Sequence, residues 1–522
     1  MDNWLTYSPV SGHGNTQITL SASTLTGLQD RIATLIATGS QEGQTLSATT
    51  VVTQKITPSE KYLTFNISSA GTINWAASNY SVAKTIEYKL NDGDWVSITP
   101  NATGVKINVI AGDKIQFRGN NVTYGSSSSD YNTFSGSTAG FEIDGNIMSL
   151  INSTDFSALT TLESDYTFCK LFYNCSSLVS AENLILPATT LANDCYYYMF
   201  YGCTSLKTAP ALPATNLTNW CYANMFEGCT LLTKAPELPA NTLAERCYGS
   251  MFTGCKKLTI PPELPATTLA NYCYYNMFYN CISLTTAPVL PATTLKFMCY
   301  HEMFRNCTKL TKAPELPATT LAERCYQSMF LGCTSLTTAP ELPATTLANY
   351  CYTSMFNNCT SLTTAPTLPA TNLTNWCYYS MFYGCTSLKT APALPATTLA
   401  PSCYESMFRG CTKLTTAPSI LPATTLAERC YDSMFWDCNP LTTAPELPAT
   451  TLADFCYSSM FRGCDYLNYI KCFAIDISAS SCTDRWVSGV ASTGTFVKNP
   501  NMSGWTTGNS GIPTGWTVID AT

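Results

Sequence analysis

From about residue 195 to residue 464 the apolar positions fall in one pattern that returns every 26 residues. In the unit beginning at Leu316 they stand at Leu321, Cys325 and Met329, with Tyr326 and Phe330 beside them. That i, i+4, i+8 spacing predicts a short helix. Thr320, with Glu323 three residues on, forms a capping box at its start, repeated as Thr242 with Glu245 and Thr425 with Glu428. Gly332 falls where a left-handed C-terminal residue is expected. Cys333, Leu336, Ala339 and Leu342 follow at steps of three. Pro340 and Pro343 lack a ladder donor and confine any strand there to about three or four residues. Each unit is therefore predicted as a short strand, a turn and a short helix that bury their apolar sides only against the next unit.

The first Cys of each Cys-Tyr pair marks the array at Cys195, Cys221, Cys247, Cys273, Cys299, Cys325, Cys351, Cys377, Cys403, Cys430 and Cys456. The step is 26 residues except once, where Ile420 in "APSILPATT" makes it 27. A worn copy, "TFCKLFYNC" ending at Cys175, precedes them with Thr167 at the marker position. About twelve stacked coils are expected, the first atypical as an exposed end requires, in a rod of about 60 Å at roughly 4.8 Å per coil. The repeated Phe330-x-x-Cys333-x-x-Leu336 and the following Leu342-Pro343, recurring across about 165–470, resemble the leucine-rich repeats of the BspA type. Such repeats occur in surface proteins of gut Bacteroidales and in phages that infect them. The resemblance implies a parallel-sheet solenoid used for adhesion or recognition, although the fold does not dictate a ligand.

Before the array the periodicity is two. Residues 1–57 alternate apolar and polar in "TQITLSAS", "DRIATLIAT" and "LSATTVVTQK", with "SPVSGHGN" as a turn, which predicts a small antiparallel sandwich. Trp4-Leu5-Thr6, Ser8-Pro9-x-Ser11-Gly12 and a closing Val-Thr-Gln resemble the BACON module of Bacteroidales proteins and phages, which implies carbohydrate binding or a spacer. A module of that family starts with a further strand, so it is expected to be truncated here or completed by a neighbouring chain. Residues 58–123 predict a second all-β unit, with a hairpin turning at Asn91-Asp92-Gly93 and two strands in "VKINVIAGDKIQFRGN". It resembles the immunoglobulin-like domain that precedes such repeats. Residues 124–164 are expected as linker and N-terminal cap, with "YGSSSSDYN" a flexible loop or hinge by composition. Repeats fill 165–465, and 466–522 close the array. The fold class expected is multidomain: N-terminal all-β sandwiches followed by an α/β leucine-rich-repeat solenoid.

Within the array the interior letters stay fixed and one outer set changes. The Cys-Tyr and Met-Phe pairs are the same in the eleven good copies, whereas the residue before the marker Cys, the second after it and the residue after Met-Phe vary. Those spacings of three and four place all three positions on one face of the predicted helix, opposite the core. The face carries Trp220, Tyr272, Tyr350, Trp376 and Phe455; Tyr197, Tyr275, His301 and Tyr379; and Tyr201, Tyr279, Arg305, Tyr383, Arg409, Trp436 and Arg462. Aromatic rings interleaved with Arg offer large rigid contact area at low entropic cost, which makes Trp220, Tyr272, Tyr275, Arg305, Tyr350, Trp376, Tyr379, Arg409 and Trp436 the candidate ligand-binding residues. The competing explanation is that exposed positions drift because nothing constrains them. The strand side, with Thr-Thr or Lys-Thr in nearly every copy, suits a repetitive ligand such as a polysaccharide.

Composition narrows the function. Only 12% of residues are charged, with a net charge of −7, and no clustered Lys or Arg offers itself to a phosphate backbone, so nucleic acid is not an expected partner. No stretch approaches the roughly 20 apolar residues of a bilayer span, and the opening residues lack a basic head and an apolar run. Export by a leader is therefore not expected; release by cell lysis, or loss of the leader, are the routes left. The 26 cysteines recur at a spacing of eight within each unit, which is no zinc pattern, and only two histidines are present. Buried free thiols are expected, because Cys is a good small core residue and a leaderless chain folds where thiols persist.

A repeat array offers no unique pocket with a base beside a nucleophile, and "CYHEMF" has no second His four residues after His301. No enzyme, cofactor or metal is expected. The favoured function is a virion-attached accessory or fibre protein of a phage of gut bacteria. Its N-terminal domains would hold a capsid or tail protein, and its repeats would bind host-surface or mucus polysaccharide or protein. A bacterial cell-surface or secreted adhesin and a ligand-free spacer are the alternatives, with homo-oligomerisation left open.

Overall fold

The computed structural model describes residues 5–8, 19–22, 31–41, 44–54, 61–79 and 82–522. Near the N-terminus β1 (Leu5–Ser8) pairs antiparallel with β2 (Thr19–Ala22), and β3 (Arg31–Gln41) with β4 (Gln44–Gln54). The expectations for Trp4 and for Pro9 to Gly12 lie outside the described residues.

A two-sheet unit follows. β5 (Leu63–Ile67), β7 (Ile86–Leu90), β8 (Val96–Ile98), β10 (Lys114–Arg118), β12 (Phe141–Asn146) and β13 (Leu178–Ile185) form one sheet in the order β13-β12-β5-β10-β7-β8. β6 (Gly71–Ala77), β9 (Val105–Val109) and β11 (Asn132–Thr133) form the other, in the order β11-β6-β9. The β7–β8 hairpin turns at Asn91, whose φ of 51° is the left-handed conformation such turns require. β9 and β10 pair into different sheets, so "VKINVIAGDKIQFRGN" arches between the two layers.

The segment expected as linker and N-terminal cap contributes strands to this unit. It supplies β11 and β12, and Tyr124 is fully buried with its hydroxyl donating to Leu150 O at 2.6 Å. The Ser-rich loop is pinned by a bridge between Gly125 and Tyr131, and β12 runs parallel to β13, which already lies in the repeat array. The sheet therefore continues without a break into the repeats.

The repeats are stacked coils, but the predicted helix is not there. No α-helix occurs among the described residues; the short helical pieces at Ile147–Leu150 and Phe156–Ala158 are 3-10 turns. The α/β description gives way to regular structure that is mostly strand, with the rest of each coil a run of overlapping β-turns. Within the unit at Cys325, the N–H groups of Cys325, Gln327, Met329, Leu331 and Cys333 donate three residues back, to the oxygens of Ala322, Arg324, Tyr326, Ser328 and Phe330, at 3.0–3.3 Å. The N–H groups between them, of Arg324, Tyr326, Ser328, Phe330 and Gly332, donate to Asn349, Cys351, Thr353, Met355 and Asn357 of the next coil at 2.8–3.1 Å. Every fourth residue is left-handed: Arg324 (φ 56°), Ser328 (55°) and Gly332 (73°).

This period of four puts Leu321, Cys325, Met329 and Cys333 on the inside as a helix would, and so produces the same sequence spacing. The proposed capping Thr320 is instead bridged in parallel to Thr346 of the neighbouring coil. On that side prolines reduce the sheet to single bridges such as Thr338 with Thr364.

The inside is two columns of rings. Tyrosines from Tyr196 to Tyr457 stack at 5.5–6.1 Å between centroids. Phenylalanines from Phe172 to Phe461 stack at 5.2–5.8 Å. Both spacings fall in the favourable offset-stacking range. At one end the columns meet Tyr124, Phe134 and Phe65 of the two-sheet unit. At the other they end on Trp486, whose Nε1 donates to Gly511 O at 2.8 Å.

All 26 cysteines are free thiols. The second of each unit adds a second donor to a turn carbonyl of the preceding coil: Cys333 Sγ donates to Phe304 O, which also accepts the Cys307 N–H, at 3.0 Å, and the same thiol bond recurs from Cys203 to Cys464 at 3.0–3.1 Å. The closing segment forms β14 (Tyr469–Cys472), β15 (Thr495–Lys498) and β16 (Thr517–Asp520) in parallel. It also caps the last donors, with Val487 N–H to Asn509 O and Arg485 N–H to Ser510 Oγ.

Candidate functional site

The variable positions form ladders along the turn face. The residue before each marker Cys is left-handed, with φ of 60° at Trp220, 57° at Tyr272, 58° at Tyr350 and 53° at Trp376. A side chain there costs roughly 1–2 kcal/mol of backbone strain. The inter-coil hydrogen bond from the same residue offsets part of it; Trp220 N–H, for example, donates to Glu245 O at 2.9 Å.

Because equivalent residues lie above one another, flat groups stack. Arg246 places its guanidinium 4.5 Å from the Trp220 ring and 4.4 Å from Tyr272, with Tyr275 at 5.4 Å. Further along, Arg324 lies 4.1 Å from Tyr350, whose other face stacks on Trp376 at 4.9 Å and 3°. Arg429 covers Phe455 at 4.3 Å. The position after Met-Phe builds a second ladder, in which Arg409 and Arg462 hold Trp436 between them at 3.6 and 4.4 Å, and Arg305 lies 5.5 Å from Tyr279.

The nine candidate residues are all half-buried. The structure gathers Trp220, Tyr272 and Tyr275 around Arg246, brings Tyr350, Trp376 and Tyr379 together in one cleft, and sets Arg305, Arg409 and Trp436 in the second ladder. Sequence reasoning missed Arg246, Arg324 and Arg429, which occupy the same position as the aromatics they cover. It also missed Gln327, Ser402 and Glu405. These line the cleft of about 570 Å³ with Tyr350, Trp376, Tyr379, Glu428 and Arg429. Thr353 anchors that cleft by donating from Oγ1 to Trp376 O at 2.6 Å.

On the strand side a hollow of about 760 Å³ is lined by Thr, Pro, Lys207, Lys234, Glu182 and Glu237, and a second of about 480 Å³ by Lys312, Pro314 and Pro340 with their neighbours. Among the described residues no group of three His, Cys, Asp or Glu is placed to hold a metal ion. Burial pushes the thiols up, Cys299 to about 12 against the opposing pull of backbone hydrogen bonds, so they are held protonated.

His301 lies on the turn face yet is buried, edge-on to Tyr275 at 5.1 Å. Burial, then the charges of Arg324 and Arg305, lower its pKa to about 4. A histidine depressed in the folded state contributes stability that is present above its unfolded pKa, about 6.5, and lost as pH falls through the folded value. Replacing His301 by Tyr, which occupies the equivalent positions 275 and 379, is expected to remove that loss. Urea midpoints at pH 7 and pH 4.5 then converge in the variant relative to the parent, and an unchanged gap excludes His301 as the source.

The turn-and-strand coil and its invariant residues decide the family. The BspA type leucine rich repeat region matches residues 166–285, 221–362 and 299–468, more than half of the chain. The chain belongs to the BspA type leucine-rich repeat family. A crystallised leucine-rich repeat protein from Bacteroides ovatus is similar over 73% of this chain and 95% of its own, with 16% identity and a TM-score of 0.44. TLR13 in its complex with ssRNA13 is similar over 66% of this chain and 46% of its own, with 16% identity and a TM-score of 0.23. No curated protein matches the chain. Membership of the BspA type is consistent with surface adhesion and recognition, and among the described residues no helix is long and apolar enough to cross a membrane.

Proposed function

We propose that this protein is a non-enzymatic adhesion and recognition protein that binds host-surface or mucus glycans through the turn face of its repeats. The observation that carries the proposal is Trp376, whose one face rests on Tyr350 while the other opens into a cleft with hydrogen-bonding side chains around it. A flat ring beside carboxylate, amide and hydroxyl groups suits the apolar face and polar rim of a sugar. Elsewhere on the ladders Arg already covers the aromatic faces, so Trp220 and Trp436 serve mainly to order the surface.

The protein is carried on the particle of a phage of gut bacteria, with the BACON-like and immunoglobulin-like domains attached to a capsid or tail protein and about twelve coils reaching outward. The array of free thiols supports assembly in a reducing host cytoplasm. The family match favours a second placement, the surface of a bacterial cell.

Binding of the intact protein to immobilised mucin and bacterial surface glycans tests the reading. Trp376→Ala is expected to lower binding at least tenfold and Trp220→Ala less than threefold. Binding indifferent to both rules out this face. Presence of the chain in purified phage particles, or in the bacterial envelope fraction, separates the two placements.

A further inference from the structure

Between Trp220 and Phe455 the ladder before the marker Cys has one short rung. Running along it, Trp220, Arg246, Tyr272, Met298, Arg324, Tyr350 and Trp376 are all large; then comes Ser402; then Arg429 and Phe455 resume. Ser402 shares the left-handed backbone of its neighbours, with φ 52° against 53° for Trp376, and bonds to the next coil in the same way, its N–H donating to Glu428 O at 3.0 Å. The coil is regular and only the side chain is short. Ser402 forms the buried floor of the cleft, with the Glu405 side chain hydrogen-bonded to it, and above and below it stand Trp376 and Arg429, two coil steps apart. Those steps are 5.7 and 5.8 Å by the core tyrosines at the same levels. Ring contacts of about 3.5–4.0 Å on each side account for about 7–8 Å of that separation, so a saturated ring rests against Trp376 and reaches the Arg429 side through its hydroxyls.

We propose that the gap at Ser402 is a slot for a single uncharged pyranose ring, seated between Trp376 and Arg429 with its hydroxyls directed to Glu405, Glu428 and Gln327. This assignment rests on the glycan-binding function proposed above and names where and what it binds. The chemistry of the slot sets the class. Arg429 is already paired with Asp432 at 2.9 Å and lies 3.8 Å from Glu428, so it is neutralised before any ligand arrives. Glu405 and Glu428 leave the lining acidic. A uronic or sialic acid carboxylate is repelled there, whereas the hydroxyls of a neutral sugar donate to the two carboxylates. The C–H face of the ring lies against Trp376, which Tyr350 backs and Thr353 fixes.

Ser402→Trp and Ser402→Arg test the slot by restoring the rung that the neighbouring coils carry, at a backbone conformation that Trp376 and Arg429 already adopt. The probes are the methyl glycosides of glucose, galactose, mannose and N-acetylglucosamine, with methyl glucuronide and N-acetyltryptophanamide as counter-probes, followed by ligand-observed NMR on the full chain. The expected result is binding of at least one neutral glycoside, binding of the glucuronide at least tenfold weaker, and loss of both in either variant with an unfolding midpoint unchanged or raised. Glu405→Gln weakens the neutral sugar several-fold without filling the slot. Sugar binding that survives both Ser402 variants but is lost in Trp436→Ala overturns the slot and leaves turn-face recognition standing. Failure of the wild type to bind any glycoside or immobilised glycan overturns both. Preference for N-acetyltryptophanamide over every sugar overturns the saccharide class.

Discussion

Phe330→Ala is expected to destabilise the protein by about 3–5 kcal/mol and to open the array at that coil. Phe330 is fully buried and lies between Phe304 and Phe356, each 5.7 Å from it. Truncation removes a ring from the middle of a column whose neighbours cannot collapse inward, because their backbones are held in register by hydrogen bonds on either side. Coils contact only their immediate neighbours, so the damage is local in space and large in effect: the interface energy on both sides of one unit falls together. Urea unfolding reports the loss, and limited proteolysis should show new cleavage between about residues 319 and 346. Leu331→Ala, the next residue and half-buried on the outside, is the control, expected to cost less than about 1 kcal/mol. Equal costs for the two variants would remove the ring column as the source of cohesion.

Ser328→Pro carries the second large effect, and Ser328→Gly gives it meaning. The Ser328 N–H donates to Thr353 O at 2.8 Å and its φ is 55°. Proline deletes that donor and demands a φ near −65°, so the turn run breaks at a cost of about 3 kcal/mol or more. Glycine does the reverse. It relieves roughly 1–2 kcal/mol of left-handed strain against about 0.5–1 kcal/mol of added chain entropy, so Ser328→Gly should be neutral or slightly stabilising. In a helix interior the same glycine would cost several tenths of a kcal/mol relative to serine. Ser328→Asn is expected to be neutral as well, since Asn224 and Asn276 occupy the position in other coils with φ of 56° and 53°. Thermal midpoints of the three variants separate a turn run from a helix; a clear loss in Ser328→Gly would contradict the left-handed backbone.

The repeat, its unit length and its inward residues are legible in the sequence, because burial fixes letters and stacking fixes the interval between them. The backbone that carries them was misread for a physical reason. Apolar residues at i, i+4 and i+8 satisfy both a helix and a four-residue turn period, and Leu321 to Met329 cannot tell them apart. Cys333 can. At about 100° per residue a helix carries position 333 some 120° away from Leu321, off the buried face, yet Cys333 is buried like the others.

A second signal stood three residues past every Met-Phe pair's first residue. That position is Gly202, Gly228, Gly254, Asn280, Asn306, Gly332, Asn358, Gly384, Gly410, Asp437 and Gly463, an alternation of the residue types that tolerate a left-handed backbone. Variation also located the outer face correctly in space while hiding its chemistry. Comparison of units draws the eye to Trp and Tyr, but most of those rings are covered by Arg246, Arg324 and Arg429, and the cleft depends on the interruption of the ladder at Ser402. A missing side chain has significance only once its neighbours are known to stack.

The one irregular coil shows where this architecture can change. Ile420, the extra residue of the 27-residue step, projects into solvent at the corner beside the strand side and bridges to Glu446. Beyond it the register is recovered at once: Tyr404 N–H still reaches Cys430 O at 3.0 Å, and Cys438 Sγ still reaches Phe408 O at 3.1 Å. An insertion at that corner is absorbed there, whereas one inside the turn run would misalign every amide row that crosses it. Because each coil offers its successor the same donors that it receives from its predecessor, a gene that gains or loses whole units yields a longer or shorter rod with both end caps intact, and length becomes a trait open to selection independently of the surface it displays.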